Sequence, residues 1–142
     1  SWVNQSCKIF MPKVANFLQN ITILSAPEEY YKDCPEKINE PQEEKSYTEW
    51  KLHTIAMIIS RYPINDRKKI TFLSIGDSEY ELNAIKILID SKLPVGNLKS
   101  IKCMKNPHIN QMKNQFYKLQ TNLNYFLKND LKSRRKSSIT IS

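Results

Sequence analysis

"ITFLSIGDSEYELNAI", residues 70–85, is the stretch whose reading decides the fold. Ile70 to Ile75 is almost entirely apolar, as expected of a parallel strand covered on both faces. Gly76-Asp77-Ser78 stops the run. Helical spacing follows at once, with Leu82, Ile85, Leu88 and Ile89 on one face over 78–91. Gly76 is the first of only two glycines in the chain. An acidic residue on such a turn has two readings. It is a carboxylate placed to hold a hard cation, or an Asp near the positive start of a helix.

Working outward, helix and strand patterns alternate. Residues 48–61 read as a helix, with Thr48 as N-cap and Trp50, Ile55, Ile58 and Ile59 on its apolar face. Pro63 ends it, and Asp66-Arg67-Lys68-Lys69 is a charged connector. Residues 2–19 have helical spacing broken by Pro12, which predicts a kink or split near Met11. Ile21–Ser25 reads as a short buried strand, rich in β-branched residues. Residues 26–47, punctuated by Pro27, Pro35 and Pro41, form a loop excursion with at most short helical pieces.

Downstream, Pro94-Val95-Gly96 is a turn and Leu98–Met104 a third strand. Asn106-Pro107 opens a long helix reaching about Lys128. Its Ile109, Met112, Phe116, Leu119, Leu123 and Phe126 form a stripe that should pack on the core. Residues 131–142 are a basic, Ser-rich tail expected to be disordered. The whole predicts one α/β domain over residues 1–130, a Rossmann-like parallel sheet with flanking helices.

Composition narrows the classes. The chain has 142 residues, 40% of them hydrophobic, so it can bury a core. Its formal net charge is +8, which suits a solvated basic surface or an acidic partner such as an acidic protein surface. No module signature for nucleic acid accompanies the charge. Cys7, Cys34 and Cys103 are widely spaced, with no CxxC pair and no nearby histidines, which argues against zinc and for a reducing compartment. Asn4-Gln5-Ser6 and Asn20-Ile21-Thr22 match a glycosylation triplet that is common by chance. There is no membrane-length apolar run and no visible signal peptide. A soluble, cytoplasmic protein with no membrane partner is the expectation. His53 and His108 lack the paired carboxylates that acid/base work needs. Arg134-Arg135-Lys136-Ser137 matches a basophilic kinase site, with Ser137 as acceptor.

In an open α/β sheet, ligands bind beyond the carboxyl ends of the strands. Ser25 ends the first predicted strand, and Asp77 follows the second. Glu81 lies on the first turn of the next helix, and Lys51 on the helix before. A hydroxyl, a lysine and two carboxylates in that order can hold a phosphate and Mg²⁺.

This pattern resembles the haloacid dehalogenase-like (HAD) superfamily of phosphohydrolases. Ile21–Ser25 looks like its second motif, Glu49-Trp50-Lys51 its third, and Ile70–Glu81 its fourth. The resemblance covers roughly residues 2–127 and is most specific at 70–85. It is closest to a divergent protist and algal branch that shares Trp2-Val3, Phe10-x-Pro12, Ser25-Ala26, Trp50-Lys51 and Gly76-Asp77-Ser78-x-x-Glu81. It implies that Ser25 and Lys51 are phosphate-binding positions, vestigial in this chain. It implies that Asp77 and Glu81 are the Mg²⁺ ligands, with Glu81 in place of the usual second Asp.

The first motif, a strand ending in Asp-x-Asp, is absent from the chain. It carries the nucleophile, so aspartyl-phosphate chemistry has no attacking group here. In the similar proteins it is degraded to Thr-Asn or Ser-Asn, which implies a pseudoenzyme. That strand is also the central one of the fold the resemblance implies. An upstream segment or a protein partner should therefore supply it. The leading expectation is a non-catalytic HAD-like module with a structural or interaction role in a larger protein or assembly. The alternatives are the C-terminal part of a Mg²⁺-dependent phosphohydrolase whose nucleophile lies upstream, and a basic binder of nucleic acid or a phosphorylated partner.

Overall fold

A computed structural model describes residues 2–41, 43–91, 95–128 and 137–140. The chain divides into two compact units, Ser1–Pro41 and Gln42–Ser142, where sequence patterning drew one domain over 1–130.

The first unit is helical. α1 (Trp2–Phe10) and α2 (Pro12–Leu18) are separated at Met11, and Pro12 sits at the first helical position, where its missing N–H costs nothing. α3 (Ala26–Asp33) follows, then a 3-10 turn over Pro35–Asn39. These are the short helical pieces expected within 26–47. Cys7, Ala26 and Tyr30 are buried.

Ile21–Ser25 is not a strand, contrary to its sequence pattern. No strand is described in this unit, so the segment has no ladder there to join, and β propensity without cross-strand neighbours stabilises little. Ser25, read as a strand end, is instead the extended N-cap residue of α3, and its side chain makes no capping hydrogen bond.

The second unit is mixed α/β. It contains α4 (Glu44–Ser60), α5 (Ile64–Arg67), β1 (Thr71–Gly76), α6 (Glu79–Asp90), β2 (Asn97–Lys102), α7 (Ile109–Lys128) and β3 (Ser137–Thr140). α4 starts before Thr48, which lies inside the helix rather than at its cap. The single turn of α5 runs into the charged connector before β1, taking in Asp66 and Arg67. α7 starts after Pro107, because Asn106 takes a left-handed φ of 51° that no helix continues. The His108 N–H donates to Gln111 Oε1 at 2.8 Å and so caps the helix in Asn106's stead.

The sheet is parallel, in the order β1-β2-β3. In the tail expected to be disordered, Ser137–Thr140 pairs with Lys99–Lys102. Ser137 opens this strand. The rest of residues 131–142 lies outside the described residues, as does the Ser137 side chain.

Register sorts the side chains onto two faces. Phe72 pairs with Leu98, and Leu73 with Lys99. Phe72 and Leu98 pack against Ile59 of α4 and Ile85 and Leu88 of α6. Leu73 and Ile101 pack on the other face with Leu119 of α7. Each such side chain taken from water contributes about 1.5–3 kcal/mol. The α7 stripe is a correction. Leu119 and the polar Gln115 are buried, whereas Ile109 and Phe116 are 65% and 61% exposed. Gln115 is drawn in because its Oε1 accepts the Met104 N–H at 3.1 Å, tying α7 to the chain leaving β2. The Phe126 side chain lies outside the described residues.

No helix among the described residues is long and apolar enough to cross a membrane.

Candidate functional site

The carboxyl ends of β1 and β2 hold most of the charged residues the sequence singles out. β1 ends at Gly76, and α6 begins at Glu79 with Ser78 as its extended N-cap residue. Gly76 is there for space, not for backbone freedom, since no glycine has a positive φ. A Cβ at Gly76 would lie 3.1 Å from Glu81 Cγ and 3.3 Å from Glu81 Oε2. Glu81 therefore folds back over the end of the strand.

Two partners hold Glu81 there. Its Oε1 lies 3.0 Å from Lys51 Nζ on α4. Its Oε2 accepts a hydrogen bond from the Ser78 hydroxyl. Ser78 and Glu81 have the spacing of a capping box, but their side chains bond each other rather than the helix backbone. The Lys51–Glu81 pair is half-exposed, with side-chain exposures of 42% and 20%, so water screens much of its attraction.

Packing explains why Lys51 arrives at Glu81. α4 and α6 share the apolar seam around Ile59, Ile85 and Leu88. An aromatic bridge lies beside the pair. The Tyr47 ring meets Trp50 edge-on at 5.1 Å and stacks on Tyr80 of α6 at 5.2 Å. These contacts fix the lateral position of one helix on the other.

Lys102 completes the cluster, and sequence reasoning missed it. Its register partner is Gly76, so the strand pairing itself carries it to the turn. Its Nζ donates to the Asp77 backbone carbonyl at 2.7 Å and lies 3.1 Å from Glu79 Oε1. The available signal was a lysine near the end of the third predicted strand, which also holds Lys99. Asp77 itself is exposed. The Cys103 N–H donates to the Gly76 carbonyl at 2.7 Å. Burial, and then the Asp77 carboxylate, push the Cys103 thiol above its ordinary range, and Lys102 opposes them.

The structure thus brings Lys51, Ser78 and Glu81 together beside Asp77, with Lys102 opposite. Ser25 belongs to the first unit and is described there alone. Glu81 engages Lys51 through one carboxylate oxygen and Ser78 through the other. Among the described residues, no group of three or more His, Cys, Asp or Glu is arranged to hold a metal ion. The Lys51–Glu81 and Lys102–Glu79 pairs tie α4 and β2 to the start of α6.

No family model matches this chain, and no curated protein and no solved structure is significantly similar to it.

Proposed function

We propose that this chain is a non-catalytic, HAD-like interaction module that contributes a sheet edge to a larger assembly. One observation supports the reading: both oxygens of Glu81, the second carboxylate of the metal-binding motif the resemblance implies, already have partners in Lys51 and Ser78. The Lys51 ammonium supplies the positive charge that a cation would otherwise bring. The sequence, for its part, contains no Asp-x-Asp to attack a phosphoryl group. The turn is then a rigid end-piece for β1 and α6 rather than a reaction centre.

The interacting element in this reading is β1. Among the described residues it is paired on one side only, with β2. It carries no charge from Thr71 to Gly76 and no proline, the usual devices that guard a free edge. Ile75 is 48% exposed although its register partner Ile101 is buried.

The alternative, part of a Mg²⁺-dependent phosphohydrolase, draws on the same contact. A lysine beside the second acid of the turn is where the resemblance puts it. Turnover of an aryl phosphate with and without Mg²⁺ separates the two readings. The module reading expects none. Mg²⁺-dependent turnover that disappears in Asp77→Ala would overturn it.

A further inference from the structure

The hydrogen-bonding parity of β1 shows which groups its free edge offers. The Asn97 N–H donates to the Ile70 carbonyl, and the Cys103 N–H to the Gly76 carbonyl. In a strand, the N–H and C=O of one residue point to one side, and the next residue's to the other. Residues 70, 72, 74 and 76 therefore face β2. Thr71, Leu73 and Ile75 turn their backbone groups the opposite way.

The sequence around this edge is complementary in charge to its own reverse. Arg67-Lys68-Lys69 precedes the neutral strand, and Asp77-Ser78-Glu79 follows it. Lys69 and Asp77 are both exposed. An antiparallel pairing of two β1 edges, with the two-fold axis at Leu73, sets Thr71 of one copy opposite Ile75 of the other. Leu73 lies opposite Leu73. Beyond each end of the ladder, Lys69 in the turn before β1 lies on the side of Asp77 in the bend after β1 of the second copy. This register uses every outward N–H and C=O of Thr71, Leu73 and Ile75. It also places Ile75 and Leu73 side by side on the face that carries Ile101 and Leu119. Registers shifted by two residues leave part of the ladder unpaired and bring Lys69 opposite Ile75 or Glu79.

We propose that this chain self-associates through β1. Two copies form a two-fold, antiparallel edge-to-edge pair that joins their sheets into one, with Lys69 and Asp77 as reciprocal charge locks. This deepens the interaction-module reading and rests on it, naming a second copy of the chain as the partner. A closed two-fold contact of this kind is self-limiting, because it consumes the edge that would otherwise recruit further strands.

The test is sedimentation velocity on the 142-residue chain across a concentration series, with Lys69→Glu, Asp77→Lys and the double exchange. Circular dichroism confirms that each variant is folded. The parent chain is expected to be a dimer. Each single reversal sets like charges opposite each other twice per dimer and should weaken the dimer by roughly tenfold. The double exchange should restore it. In parallel, amide hydrogen exchange should show Thr71, Leu73 and Ile75 protected only in the dimer, with Phe72 and Ser74 protected at every concentration. A chain monomeric throughout the series would overturn the proposal, as would a dimer indifferent to both reversals. Neither result touches the phosphatase assay, which tests the underlying reading separately.

Discussion

Lys51 Nζ lies 3.0 Å from Glu81 Oε1, joining α4 to the first turn of α6 across the open end of the sheet. The pair is half-exposed, so its worth is that of a screened surface pair backed by one extra hydrogen bond. A double-mutant cycle with Lys51→Met and Glu81→Gln should return a coupling of about 0.5–1 kcal/mol at low salt. Denaturant unfolding measures it. The coupling should shrink as ionic strength rises.

The two glycines should respond differently to Ala. At Gly96 a Cβ would lie 2.5 Å from the Lys68 carbonyl oxygen and 2.8 Å from that of Ile70. Both are backbone atoms of the segment leading into β1 and cannot step aside. Gly96→Ala should cost about 1–3 kcal/mol and lower Tm. At Gly76 the nearest atoms belong to the flexible Glu81 side chain. Gly76→Ala should cost less, and most of its effect should vanish in a Glu81→Ala background. Thermal unfolding of the four variants decides this.

Burial makes the next contrast. Ile59 is 0% exposed at the centre of the α4–α6 seam, while Phe116 on α7 is 61% exposed. Ile59→Ala should cost about 2–5 kcal/mol in chemical denaturation. Phe116→Ala should change stability by no more than about 0.5 kcal/mol. A large effect at Phe116 would show that the outer face of α7 is covered in solution.

Cys103 gives a pH-dependent prediction. Its thiol is raised by burial and by Asp77, so the neutral form is favoured in the folded state. The fold keeps that contribution below the ordinary thiol range and loses it as pH rises through the raised value. Alkylation of Cys103 by iodoacetamide should be slow near neutral pH and accelerate only in more alkaline buffer. Asp77→Asn removes one of the two raising causes. It should shift the rate profile towards lower pH, as mass spectrometry of the alkylated peptide would show.

Much of the second unit was legible in the chain. Period and turn chemistry placed β1, α6 and β2 to within a residue or two, because each has one strong apolar pattern and a clear stop. The Gly76-Asp77-Ser78 turn and its neighbours Lys51 and Glu81 were also visible, since their order implied that they converge. The use of that turn was not visible. Glu81 lies over Gly76 and closes on Lys51 and Ser78, an arrangement set by how α4 seats on α6.

Where a pattern depended on a distant partner, reading it locally failed. Ile21–Ser25 has the composition of a strand, yet a strand is stabilised by its neighbours, and none lies among the described residues of its unit. The α7 stripe has a helical period, but the helix turns Gln115 inward to satisfy the Met104 N–H and leaves Ile109 and Phe116 outside. Lys102 joined the turn only through strand register. Residue pattern settled which segments are helical or extended, because that depends on neighbours along the chain. Packing alone chose partners, faces and the fate of each charge, because those depend on residues that meet only when the chain has folded.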